Sequence, residues 1–123
     1  MFFFYVKLPV GPHLNEREHV FHDGLESALM GHKLGSVLGW GDSLSHRDLS
    51  QPTRLAFHRI DIEISDVKPA LTLIQRTLMA LDAPLGTEIH YTVDGIAMQD
   101  TSSSSGWQSE PSGPTSKRAN WPT

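Results

Sequence analysis

The chain has 123 residues, a formal net charge of −4 and no cysteine. That is one domain's worth of chain, without a disulfide frame, a thiolate metal site or a thiol nucleophile. The acidic balance argues against a general nucleic-acid binder, and no apolar run approaches the roughly 18 residues of a membrane span.

Residues 2–8, FFFYVKL, read as a first strand. Phe2, Phe4, Val6 and Leu8 share one face, and Phe3, Tyr5 and Lys7 the other. No basic segment precedes this run and no small-residue cleavage site follows it. A buried strand is therefore expected rather than a signal peptide, with the cytoplasm as compartment. Pro9, Gly11 and Pro12 close the strand. Asn15 followed by Glu18 resembles a capping box, and Phe21, Leu25, Ala28, Leu29 and His32 follow at helical spacing. Gly24 weakens that helix by roughly 1 kcal/mol relative to alanine, and Gly31 or Gly35 supplies its stop.

Residues 35–42, GSVLGWGD, read as a glycine-rich second strand. Strict alternation puts Gly35, Val37, Gly39 and Gly41 on one face and Leu38 and Trp40 on the other. A polar loop is expected from Ser43 to Thr53. Residues 55–64, LAFHRIDIEI, form the clearest strand, with Ile60, Ile62 and Ile64 inward against Arg59, Asp61 and Glu63 outward. Ser65-Asp66 caps a second helix whose stripe is Val67, Ala70, Leu71, Ile74, Leu78 and Leu81. Pro69 is tolerated in its first turn. Pro84 and Gly86 end it. Residues 87–93, TEIHYTV, make a further strand, with Ile89, Tyr91 and Val93 inward and Glu88, His90 and Thr92 outward. Asp94-Gly95 turns the chain, and Ile96–Met98 is a short extra strand or a cover.

Residues 100–123 hold seven Ser, three Thr, three Pro and two Gly. Such a segment buries too little to offset its ordering entropy, so a disordered tail is expected after a folded domain spanning 1–99. Trp107 and Trp121 are its oddities: they lie loosely exposed, fold back on the domain, or form a short aromatic docking motif.

The element order is β-α-β-β-α-β, the split-βαβ plan. It predicts a ferredoxin-like α+β fold: a four-stranded antiparallel sheet in order 4-1-3-2, both helices on one face. The other face is then open, and Tyr5, Lys7, Trp40, Arg59, Asp61, Glu63, Glu88 and His90 are its candidate binding residues. Aromatics beside arginine make good anchors, while a solvated face held by cross-strand pairs such as Lys7 with Asp61 or Glu63 needs no partner.

His19 and His22 lie i,i+3 on the first helix, a spacing that holds a metal only with further ligands; His32 and His90 are the candidates. A polar helix face explains the pair as well, and no cofactor is expected. His46-Arg47-Asp48 copies a kinase catalytic-loop triplet without the glycine loop or the strand lysine that would give it meaning. Ser43, Ser45, His46 and Asp48 are too close in sequence for a hydrolase triad. Gly35, Gly39 and Gly41 follow a helix and lie in a strand, the wrong order for a phosphate loop. A bulge or a close backbone approach is the better reason for them. Asp61, Glu63 and Glu88 form a row of carboxylates of the kind that serves acid–base chemistry, while strand alternation also produces such rows without function.

Gly35–Trp40, Arg59-Ile-Asp-Ile-Glu-Ile-Ser-Asp66 and Ala83-Pro-Leu-Gly-Thr-Glu-Ile-His-Tyr91 resemble a pattern in small standalone bacterial proteins. At the level of fold the chain is similar to ferredoxin-like regulatory modules, including the amino-acid-binding ACT type, although it lacks an ACT-type ligand loop. The resemblance covers residues 1–95 and implies fold rather than chemistry. Three functions fit the surface. The first is a non-catalytic protein-binding module, immunity-type or regulatory, that meets a protein partner or self-associates. The second is a metabolite-sensing homodimer. The third is a small dimeric α/β-barrel enzyme using His90, His58 or Asp61.

Overall fold

The computed structural model describes residues 2–9, 18–44 and 56–111. In chain order the elements are β1 (Phe2–Pro9), α1 (Glu18–Gly31), β2 (Gly35–Leu44), β3 (Ala56–Ile64), α2 (Val67–Ala80), β4 (Glu88–Val93), β5 (Ile96–Ser103) and β6 (Gly106–Pro111). The Asn15 cap, the His46-Arg47-Asp48 triplet and Trp121 lie outside the described residues.

The strands form one sheet of six in the order β2-β3-β1-β4-β5-β6, and every neighbouring pair is antiparallel. This overturns the four-stranded 4-1-3-2 fold, and it draws residues 100–111 of the expected tail into strands; the rest of that tail lies outside the described residues. The sheet continues past β4 because Asp94 and Gly95 both take positive φ, 52° and 80°. A two-residue turn of that kind matches strand twist and folds β5 back onto the free edge of β4. Ser103 then pairs with Gly106 and starts β6.

Alternation decides the core. Phe4, Val6 and Leu8 of β1 and Ile60, Ile62 and Ile64 of β3 are fully buried, as is Ile89 of β4. Phe21, Leu25 and Leu29 of α1 and Ala70, Ile74 and Leu78 of α2 pack in the same cluster, so both helices cover one face of the sheet. Each large apolar side chain buried this way is worth about 1.5–3 kcal/mol. The α1 stripe is narrower than its spacing suggests: Ala28 is only half-buried and His32 is exposed, while His22 is buried.

Neither helix has glycine in the left-handed position that closes it. Lys33 (φ 57°) and Asp82 (φ 62°) adopt the left-handed conformation. The Leu34 N–H donates to the Leu29 carbonyl, and the Ala83 N–H to the Leu78 carbonyl. These are Schellman caps on residues that carry a side chain, where glycine fits at less cost. At its other end, α2 has Asp66 in the cap position, but the carboxylate makes no capping bond.

Glycine is required at Gly35, where a Cβ would stand 2.2 Å from the Glu63 carbonyl oxygen and 3.0 Å from the Ile64 Cα. Two residues on, the β2–β3 register slips. Val37 faces Ile62 and Gly39 faces Asp61, which leaves Leu38 as an extra residue. Among the described residues, no helix is long and apolar enough to cross a membrane.

Candidate functional site

The face of the sheet away from the helices carries no covering element among the described residues. β1 contributes Phe3, Tyr5 and Lys7, β3 contributes Phe57, Arg59, Asp61 and Glu63, and β4 contributes Glu88 and His90. The register sets Tyr5 between Asp61 and His90, and Lys7 between Arg59 and Glu88.

Tyr5 is the centre of the cluster. Its ring stacks on His90 with centroids 4.6 Å apart and planes at 4°. Phe3 tilts against it at 6.2 Å, and the Arg59 guanidinium lies 4.0 Å from its centroid. For a guanidinium that stays partly exposed, as this one does, such a contact gains about 0.5–1 kcal/mol. Burial pushes the Tyr5 phenol above its ordinary value, and Arg59 partly offsets that shift.

The ion pairs differ from the expected ones. Lys7 reaches neither Asp61 nor Glu63; its Nζ lies 3.8 Å from Glu88 Oε1 and 4.3 Å from the centre of the Phe57 ring. Facing Arg59 across the strands, it turns away to the carboxylate on β4. Asp61 instead accepts from Arg59 Nε at 2.6 Å, two residues along the same strand. His90 Nε2 and Glu88 Oε1 are 2.7 Å apart. That bond, aided by Lys7, holds the Glu88 carboxyl below the usual range against its partial burial.

Seven of the eight predicted binding residues therefore share one face: Tyr5, Lys7, Arg59, Asp61, Glu63, Glu88 and His90. Trp40 does not. The extra residue Leu38 inverts the alternation, so Trp40 faces Ile60 in the register and its indole stacks on His22 of α1 at 4.2 Å. It lies on the helix side, where it remains 58 % exposed at the rim of the sheet.

His19 and His22 also separate: His19 is exposed and His22 is buried. No group of three His, Cys, Asp or Glu side chains that could hold a metal occurs among the described residues. His22 instead meets His58, which alternates with Ile60, Ile62 and Ile64 along β3 and so points inward by the same rule. β5 and β6 extend the open face with Gln99, Thr101, Gln108 and Glu110, which register with one another and with β4. The sequence signal for this extension is the Asp94-Gly95 turn.

A cleft of about 120 Å³ on this face is bordered by Phe3, Tyr5, His90, Thr92 and Ala97. It is smaller than the roughly 300 Å³ or more of a typical small-molecule site. No protein-family model, no curated protein and no solved structure matches the chain.

Proposed function

We propose that the chain is a non-catalytic, cytoplasmic protein-binding module that docks a partner protein on the open face of its sheet. The observation that carries this reading is the Phe3–Tyr5–His90 stack with Arg59 laid on Tyr5. A pre-ordered aromatic and arginine cluster of this kind is the composition of binding hot spots. It loses little side-chain entropy on docking, because ring stacking and the Arg59–Asp61 bond already fix it.

The charge around the cluster selects the partner. Lys7 and Arg59 are outnumbered by Asp61, Glu63, Glu88 and Glu110 on this face. Such a rim steers a basic surface and rejects an acidic one. An immunity-type antagonist of a basic toxin, or a regulator of a basic protein, is the form of binding this pattern suits. The shallow cleft favours a protein over a metabolite.

The test is native mass spectrometry of the chain purified gently from its own cells, beside Tyr5→Ala and Arg59→Ala. A heteromeric mass is expected, weakened about 30-fold in each variant, the effect of losing a 2 kcal/mol hot spot. Melting temperatures should stay within a few degrees of the parent. A homodimer lost in the same variants would make the partner a second copy. A bare monomer, or a complex indifferent to both substitutions, would overturn the reading.

A further inference from the structure

The open face is not neutralised equally along its length. Its strands set three rows side by side, headed by Lys7, Tyr5 and Phe3 of β1. In the first row Lys7 lies between Arg59 and Glu88, and its ammonium stands 3.8 Å from the Glu88 carboxylate. In the second row Tyr5 faces Asp61, and Arg59 joins the two. Its guanidinium lies 4.0 Å from the Tyr5 centroid, and its Nε donates to Asp61 at 2.6 Å.

In the third row Phe3 faces Glu63. The composition is that of the second row, an aromatic ring opposite a carboxylate, but no arginine of this chain completes it. Arg59 stands 6.0 Å from the Phe3 centroid, the outer limit of such a contact, and is already bonded to Asp61. Among the described residues no cation pairs with Glu63, although that residue is half-buried. Phe3 is 49 % exposed. β4 lies on the far side of β1 from β3, and there the cleft of about 120 Å³ runs from Phe3 to Thr92 and Ala97.

We propose that this third row binds an arginine side chain of the partner protein. The inference rests on the protein-docking reading of the same face and names the group that the face recognises. The aliphatic stem lies in the cleft, and the guanidinium lies over Phe3 and donates to the Glu63 carboxylate. Arg59 makes the same arrangement one row along. A guanidinium suits the place better than an ammonium, because its plane stacks on a ring while its edge forms two parallel bonds to a carboxylate. The cleft is the size of one side chain rather than of a metabolite. Thr92 and Ala97 bring no charge to it, as a methylene stem requires. The carboxylates of the first two rows are held by Lys7, His90 and Arg59, so the charge that selects the partner is gathered at one end of the face.

The probe is a phage-displayed library of random peptides, panned on the full chain. Enrichment of an arginine at one position is expected. The best peptide is then made with arginine and with citrulline there. Citrulline should weaken binding by about 10-fold, and Glu63→Gln should weaken the arginine form by about as much. The two losses should not add, because they remove the same contact. Ala97→Trp, at an exposed position, fills the cleft and should cost about 10-fold or more. Asp23→Asn, an exposed carboxylate on α1, should leave the affinity unchanged. The citrulline comparison uses the unsubstituted chain, so it does not depend on how well the variants fold. No enrichment, an acidic or uncharged consensus, lysine as effective as arginine, or additive losses would each overturn the proposal. If Tyr5→Ala releases the peptides and Glu63→Gln does not, docking on this face stands and the arginine assignment falls. Peptides indifferent to both substitutions would remove both readings.

Discussion

The two sides of the sheet hold their strands by different means. In β2, β3, β1 and β4 the helix-facing positions are mostly apolar and the two helices seal them. In β5 and β6 the corresponding positions include Asp100 and Ser102, which are buried all the same. Asp100 Oδ1 accepts from the Tyr91 hydroxyl and from Ser109 Oγ, both at 2.6 Å, and Oδ2 accepts from Gln75 Nε2 at 2.5 Å. Ser102 exchanges backbone bonds with the segment before β4: it accepts from Gly86 and donates to Thr87. The comparison teaches that carboxylate and hydroxyl groups can replace apolar ones under a sheet when they are paired. That pairing stops short of the buried Trp107 Nε1 on β6, which has no hydrogen-bond partner among the described residues.

The hardest way to break this balance is to remove the polar side altogether. Deleting residues 101–123 takes away β6, the Ser109 donor and the Ser102 clasp. It should cost several kcal/mol out of the roughly 5–15 kcal/mol of a typical domain. A thermal melt checks this, and an unchanged melting temperature would mean that β6 and the end of β5 add nothing.

A narrower cut is Asp100→Ala, which strands the buried Tyr91 hydroxyl and leaves the half-buried Gln75 and the exposed Ser109 to find water instead. About 3 kcal/mol should be lost in a denaturant titration. Hydrogen exchange should speed up first in β5 and β6 and later in β1 and β3. On the apolar side the matching probe is Gly35→Ala, which drives a methyl group into the β3 backbone. Its expected cost is about 2–3 kcal/mol, with exchange opening at β2 instead.

The join between the two sides can be read by pH. Burial, and then Asp100, push the Tyr91 phenol up to about 12 from an ordinary 10.0. The folded state thus favours the neutral hydroxyl. Its contribution is complete below the unfolded value of 10.0 and is lost as pH rises through about 12. Tyr91→Phe should flatten that alkaline limb in a stability-versus-pH series; an equally steep fall would place the titration elsewhere. The smallest effect belongs to Lys33→Gly, which relieves a left-handed side chain at the end of α1. A gain of about 0.5–1 kcal/mol is expected, and a lower melting temperature would show that the lysine stem matters more than the strain.

What the sequence made legible follows the same division. Period-two and helical spacing located both helices and four strands, because in the apolar half side-chain polarity tracks burial. Seven binding residues fell on one face for that reason. β5 was legible only to Met98, as a short extra strand or a cover, and β6 not at all, because their cohesion lies in hydrogen bonds between residues far apart in the chain, such as Gln75 with Asp100. Composition weighed Ser102 and Ser109 as solvent-seeking, when each is a donor with a partner. The ion pairs were missed although the order 4-1-3-2 already set β4 beside β1, because alternation fixes the face a side chain takes but not the register that brings Glu88 opposite Lys7. His58 was legible by parity, but it had not been set beside His22, which the helical stripe left on the polar side.

The extra residue at Leu38 has a consequence for how this surface changes in evolution. A strand is a two-state counter, and an inserted residue inverts everything beyond it unless a bulge absorbs it. The bulge absorbs Leu38, so Val37 and Trp40 both keep the helix side, against Ile62 and Ile60. Loss of Leu38 alone would straighten β2 and leave Gly39 against Asp61 and Trp40 against Ile60, with the indole still on His22. A further residue inserted between Leu38 and Trp40 would instead carry the indole onto the open face, beside Asp61 and Arg59. Deletion and insertion at the same place in β2 thus have unequal consequences: one is silent for Trp40 and the other moves it across the sheet.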